Sequence, residues 1–342
     1  MAVTLQQIAD AVKVDRSAVS RVLNGKGRSI GLSEERIRQI EEAARAMNYR
    51  PNSAARAVKE GRFGNVALLS GTVKDRSSLH PGLLDSIQDL LAEHHQHLNL
   101  ARLPDEKLIE DGVVPRILRE SFADGMLINY THAKPAGMVG LVDRLGFPAV
   151  WLNVRHDYDC VHPADFDAVR DATLSLVRRG HRHIAFWDLV HRRASIDHAH
   201  YSVSDRLLGY ERGMQEAGLA SRVLFRDDLP GEDRSAAIRS LAERPDRPSA
   251  VISYGYGGHI AWGLREAGLR LGDDVTVVAF GSRDAMFLPI HVAEPDVPKL
   301  ADAAVGMLMR KIRDQADRAA PVVVPFRFFS PQGVEPLASR SS

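Results

Sequence analysis

From Gly64 onward the chain alternates short apolar runs with longer amphipathic ones, and that rhythm restricts the fold more than any other feature. "NVALLS" reads as a strand and "HPGLLDSIQDLLAEHH" as the helix after it. "DGMLINY" and "PAVWLNV" are further strands, and the helix "FDAVRDATLSLVRRG" leads into the strand "HIAFWD". The same order recurs in "LLGYERGMQEAG", "SAVISYG", "GHIAWGLREAG" and "DVTVVAFG". Strands separated by helices of about ten residues or more build parallel sheets with both faces covered. Ligands of such sheets sit beyond the carboxyl ends of the strands. At 342 residues the chain exceeds one core, so two or three domains are expected.

The first 62 residues have a different texture. They hold 12 Lys and Arg against 7 Asp and Glu, whereas the remainder holds 33 against 37. A basic head on a mildly acidic body points to a polyanionic partner for the head alone. In "VTLQQIADAVKVDRSAVSRVLNGKG", Leu5, Ile8, Ala9 and Val12 recur at helical spacing, and Thr4 can cap that first helix. After a turn at Lys13 and Val14, Asp15 caps a second helix whose Val19, Val22 and Leu23 face inward. Arg16, Ser17, Ser20 and Arg21 remain on its outer face. Two short helices so arranged are a helix-turn-helix, whose second helix enters the major groove and reaches base edges and phosphates. A third helix runs from Ser33 to Met47, capped by Ser33, and closes a small core with Ile37, Ile40, Ala44 and Met47.

With its continuation "LSEERIRQIEEAARAMNYRPNSAARAV", this segment resembles the DNA-binding head of the LacI/GalR family of bacterial repressors. "AVSRVLN", "NYRPN" and "SAARAV" carry the resemblance, without gaps. It implies that Arg16 and Ser17 read bases, that Arg21 is the arginine of the "SRV" motif, and that Thr4, Ser20, Asn24 and Asn52 meet phosphate. It also implies a hinge over residues 51–63 that turns helical only on DNA, with Ala55, Arg56 and Val58 at the minor groove. Val58 stands where the family has leucine, so it should wedge and unstack less. Lys13 stands where the family has a left-handed glycine. Either the turn differs or the head carries about 1 kcal/mol of strain.

The later segments follow the family order as well. The implied architecture is an all-α helix-turn-helix head over 1–50 and an α/β two-lobed, periplasmic-binding-protein-like (type I) effector domain over 64–330. Its N-lobe takes 64–161 plus 292–330 and its C-lobe 162–291, followed by a tail over 331–342 that lacks heptad leucines. The implied partners are a pseudo-palindromic double-stranded operator, a second copy of the chain, and a small-molecule effector in the inter-lobe cleft. By the family's pattern Arg206 clamps effector oxygens, the strand "GMLINY" puts Asn129 and Tyr130 at the cleft mouth, and Asn153 of "VWLNV" faces an effector hydroxyl. Asparagine at a strand end is equally at home capping a loop. Two strand ends that carry Asn or Asp in the family show Gly255–Tyr256 and Gly281–Ser282 here. Tyr254 and Tyr256 can stack on a ring or donate a hydroxyl, which keeps a sugar open. A less polar effector, or a cleft without ligand control, stays open too.

Other classes fit less well. "GYGGH" lacks the full G-x-G-x-x-G spacing, and "HHQH" and "DHAH" show no fixed tetrahedral set, so no cofactor or metal is expected. No nucleophile elbow, Walker or HExxH motif occurs, so no catalytic residue is assigned and the chain is read as a regulator rather than an enzyme. A solute-binding protein of the same fold would need an export signal and no basic head. One cysteine, no secretory segment and no apolar run of about 18 residues point to the cytoplasm and away from a membrane.

Overall fold

The structure, a computed structural model, describes residues 3–50, 61–71, 79–103, 116–120, 122–130, 137–229, 233–281, 287–314, 318–331 and 333–335. It divides into two compact units, residues 1–63 and 64–342.

In the first unit, α1 (Leu5–Val12) opens on a capping box. The Thr4 hydroxyl accepts the Gln7 amide at 3.3 Å, and the Gln7 side chain accepts the Thr4 amide at 2.9 Å. Lys13 closes the helix with left-handed angles, φ 52 and ψ 54. Asp15 caps α2 (Arg16–Leu23) by accepting the Ser17 amide at 2.6 Å, and Ser33 caps α3 (Glu34–Ala46), whose first turn carries Glu34 and Glu35 against the helix dipole. Ile8, Ala9, Val19, Val22, Ile40 and Ala44 form the buried centre, with Leu5, Val12, Leu23, Ile37 and Met47 packed around it. These are the inward positions that helical spacing selects.

The second unit holds two sheets. The first has six strands in the order β11-β5-β4-β3-β1-β2, all parallel: β1 (Asn65–Gly71), β2 (His97–Leu103), β3 (Gly125–Asn129), β4 (Ala149–Leu152), β5 (Cys160–Pro163) and β11 (Val322–Val324). Helices α4 (Pro81–Glu93), α5 (Arg116–Arg119) and α6 (Met138–Leu145) connect its strands. Because side chains alternate along a strand, Val66 and Leu68 pack under α4 and α11 (Val297–Asp314), whereas Ala67 and Leu69 pack with α6 on the other face.

The second sheet has seven strands in the order β13-β12-β10-β9-β8-β6-β7. Here β6 (Ile184–Asp188), β7 (Val223–Phe225), β8 (Ala250–Ser253), β9 (Thr276–Phe280) and β10 (His291–Pro295) are parallel, and β12 (Phe326–Ser330) and β13 (Gly333–Glu335) close one edge antiparallel. One face is covered by α7 (Asp165–Arg178) and α8 (Tyr201–Glu216), the other by α9 (Arg234–Ala242) and α10 (Gly257–Glu266).

Assigning 292–330 wholly to the first lobe needs correction. Helix α11 and β11 do return to the first sheet, but β10 and β12 hydrogen-bond within the second. The chain therefore crosses between lobes after β5, after β10 and at Pro325. Nor does the effector domain end at 330, since β13 pairs with β12 and fills an edge the expected tail would have left open. Among the described residues no helix is long and apolar enough to cross a membrane.

Candidate nucleic-acid interface and inter-lobe cleft

Charge is distributed unevenly over the head. On α3 the cations are engaged locally: Arg38 with Glu35 and Glu42, Arg36 with Gln39 and the Lys13 carbonyl, and Arg45 with the Glu41 carbonyl. Before α3, Arg28 pairs with Glu34 at 2.6 Å. On α2, by contrast, Arg16 and Arg21 are exposed and their side chains have no hydrogen bond or ion pair among the described residues, while the exposed Ser17 hydroxyl bonds the Asp15 carboxylate. Ser20 is half-buried beside them, and Asn24 turns its amide back to the Ser20 carbonyl at 2.7 Å. The Thr4 hydroxyl is already committed to its capping box. So α2 offers two uncompensated guanidinium groups on a rigid, capped helix. Asn52, Ala55, Arg56 and Val58, and most of the expected hinge, lie outside the described residues.

In the second unit the carboxyl ends of β8 and β9 meet Arg206 of α8. Its Nε donates to Asp165 Oδ1 at 2.6 Å and its Nη1 to the Tyr254 carbonyl at 3.0 Å. The guanidinium lies 4.7 Å from the Tyr254 ring centre and 4.8 Å from that of Phe280. Burial works against its charge, but the Asp165 carboxylate more than offsets this and holds the guanidinium protonated. Tyr201 donates to the other Asp165 oxygen at 3.2 Å and reaches the Asn153 side-chain oxygen at 3.5 Å. Burial, then the Asp165 charge, pushes the Tyr201 phenol well above its usual range. At the end of β6, buried Asp188 accepts the Val190 and His191 amides at 3.0 Å and the His191 ring at 2.9 Å, and that ring stands edge-on to Tyr254.

Of the residues carried over for the effector, the structure gathers Asn153, Arg206 and Tyr254. The others sit elsewhere. Tyr130 is fully buried in the first lobe with its hydroxyl on Met138 Sδ at 3.3 Å, which corrects its placement at the cleft mouth. Asn129 is likewise sealed in at 2% exposure, so it presents no surface to a ligand. Tyr256 is 41% exposed and lies against Arg234 and His259, away from Arg206. Sequence reasoning missed Asp165, His200, Tyr201 and Asp205; of these only His200 was weighed, as a loop histidine in "DHAH". Among the described residues no group of three or more His, Cys, Asp or Glu is placed to hold a metal ion.

A helical head that exposes unpaired arginines, in one chain with a two-lobed α/β body, defines a DNA-binding transcriptional regulator. Residues 4–52 match the family described as bacterial regulatory proteins, lacI family, and residues 174–329 match the periplasmic binding protein-like domain. The chain belongs to the LacI family. The HTH-type transcriptional regulator AglR of Rhizobium meliloti (strain 1021) is 25% identical, over 86% of this chain and 82% of its own length. A solved lac repressor dimer, bound to operator and the anti-inducer ONPF, superposes with a TM-score of 0.73 at 20% identity, covering 96% of this chain and 98% of that one. A complex of transcriptional regulator CelR with cellobiose gives 0.61 at 20% identity over the same shares. These two structures share the fold. The matching relatives are regulators rather than enzymes.

Proposed function

We propose that the chain is a cytoplasmic repressor that binds a pseudo-palindromic operator as a homodimer, with its affinity set by a small molecule between the lobes. The observation that carries the reading is the contrast within the head. The arginines of α3 are satisfied within the protein, whereas Arg16 and Arg21 on α2 have no side-chain partner among the described residues and are free to meet DNA. A guanidinium at the start of a groove helix is suited to the paired acceptors of guanine. Ser17 and Arg21 complete the reading face, while Ser20 and Asn24 set the register on phosphate and Thr4 fixes the start of α1 through its capping box. The related repressor seen on its operator as a dimer supports the symmetric site, and the related cellobiose complex supports a carbohydrate as one effector class. For the effector, Arg206 and Tyr254 are the residues we assign, with Asn153 across the cleft.

Selection of bound oligonucleotides tests the reading. The wild-type chain should enrich one two-fold-related sequence, and Arg16→Ala should change the preferred base at one symmetric position. That position should lose about 1–3 kcal/mol of discrimination. An unchanged preference in Arg16→Ala would show that α2 is not seated in the groove as assigned.

A further inference from the structure

The cleft contains a line of hydrogen bonds that runs from one lobe to the other. The Ser202 amide points at His200 Nδ1, 3.4 Å away, so that nitrogen is an acceptor and His200 carries its proton on Nε2. Nε2–H donates to the Asn153 carbonyl, 2.6 Å away in the first lobe. The Ser202 hydroxyl then donates to Nδ1 at 2.8 Å, and Tyr254 donates to Ser202 Oγ at 3.0 Å. Every bond in Tyr254, Ser202, His200, Asn153 points the same way, the arrangement in which neighbouring bonds strengthen one another. Beside it Tyr201 meets Asn153 and Asp165, and its ring packs edge-on to His162 of β5. Arg155, in the loop after β4, reaches Asp205 of α8 at 2.6 Å.

We propose that the N-cap His200 and the first two turns of α8 are a clasp that closes the lobes with the protein's own side chains. His200 and Tyr201, which meet Asn153, and Asp205, which meets Arg155, are the positioning residues, and Tyr201 shares Asp165 with Arg206. This deepens the effector reading and rests on it for its consequence. A ligand here enters a cleft that is already bridged, and it acts by displacing the clasp rather than by drawing open lobes together. Effectors shift a two-state equilibrium only by binding the states differently, so the clasp sets the closed reference that an effector must overcome.

The test is made on the full chain without DNA or ligand, so it stands apart from the operator and effector assignments. Spin labels at the exposed positions Glu93 and Glu243, one per lobe, report the inter-lobe distance. With the labelled chain diluted into an excess of unlabelled chain, so that each dimer carries one labelled protomer, wild type should give one narrow distribution. Arg155→Ala combined with Tyr201→Phe should add a longer-distance population, shifting the open-to-closed ratio roughly fivefold. Arg155 is 55% exposed, so its loss leaves the core intact. Arg155→Lys with Tyr201 retained should return the distribution to narrow, which a general loosening of the fold would not do. A double variant with the wild-type distribution, or a wild type already spread over long distances, overturns the clasp.

Discussion

Lys13 takes left-handed angles that a lysine adopts only at a cost, and the turn between α1 and α2 needs them all the same. Its carbonyl is braced by Arg36 Nη2 at 3.3 Å, so α3 helps to hold the strained residue. The strain anticipated at this position is thus in the turn, while the turn itself keeps its shape. Lys13→Gly should stabilise the head by up to about 1 kcal/mol, less what the freer unfolded chain takes back. Calorimetry of the full chain checks this, and a lower head transition would sink it. A second single-residue effect concerns protons. Tyr210 is fully buried, donates to the Ile184 carbonyl at 2.8 Å and accepts the Arg222 amide at 2.8 Å. Burial pushes its phenol up to about 12, against about 10 when unfolded. The folded chain therefore keeps this proton longer, so its contribution is whole below pH 10 and is lost as pH rises toward 12. Urea midpoints measured across that window should fall more steeply for wild type than for Tyr210→Phe.

Helices α7 and α8 touch through glycine. A Cβ at Gly209 would meet the Phe166 carbonyl oxygen at 2.3 Å, and one at Gly213 would meet Thr173 Cβ at 2.8 Å. Gly306 of α11 has only the end of Arg310 nearby, at 3.6 Å. Helix propensity alone favours alanine at both Gly209 and Gly306. Gly306→Ala should accordingly stabilise by about 0.5–1 kcal/mol, whereas Gly209→Ala should destabilise by about 1–3 kcal/mol as the helices part. Opposite shifts in melting temperature are the expected result, and equal signs would refute the packing argument. Elements like these decide how much the sequence could say. Strands buried on both faces, such as β1, β6 and β9, read as unbroken apolar runs and were legible. Edge strand β2, "HLNLARL", leaves Leu100 62% exposed and has no such run. Strands β11 and β12 are separated only by Pro325 yet join different sheets, a choice made by pairing partners far along the chain. Arg206 was found through its motif. Its partners Asp165 and Tyr201 were not, because that pairing exists only through space. Tyr130 is placed at the mouth only by the likeness of "GMLINY" to the family's strand; here it is buried, with its hydroxyl on Met138.

The first lobe is itself held together partly by groups far from the cleft. Lys311 of α11, nearly buried, reaches Asp159 Oδ2 at 2.7 Å, and the other Asp159 oxygen accepts the Ala319 amide at 2.8 Å. One carboxylate thereby ties the returning helix to the turn before β5 and to the segment leading into β11. Lys311→Met strands that charge in the interior and should cost about 3–5 kcal/mol, read as a drop in the denaturation midpoint of the body. An unchanged midpoint would show that the pair contributes no net stability. The triple passage of the chain between the sheets has a further meaning for how such a protein can be inherited. Neither lobe is one uninterrupted stretch of residues, so no single cut in the gene separates them. A recombination breakpoint inside 64–335 splits strands that belong side by side, whereas one near residues 63 and 64 falls between compact units. Ancestral shuffling, and any chimera built to change which DNA answers to which metabolite, is thereby channelled to that one seam, and the body is passed on whole or not at all.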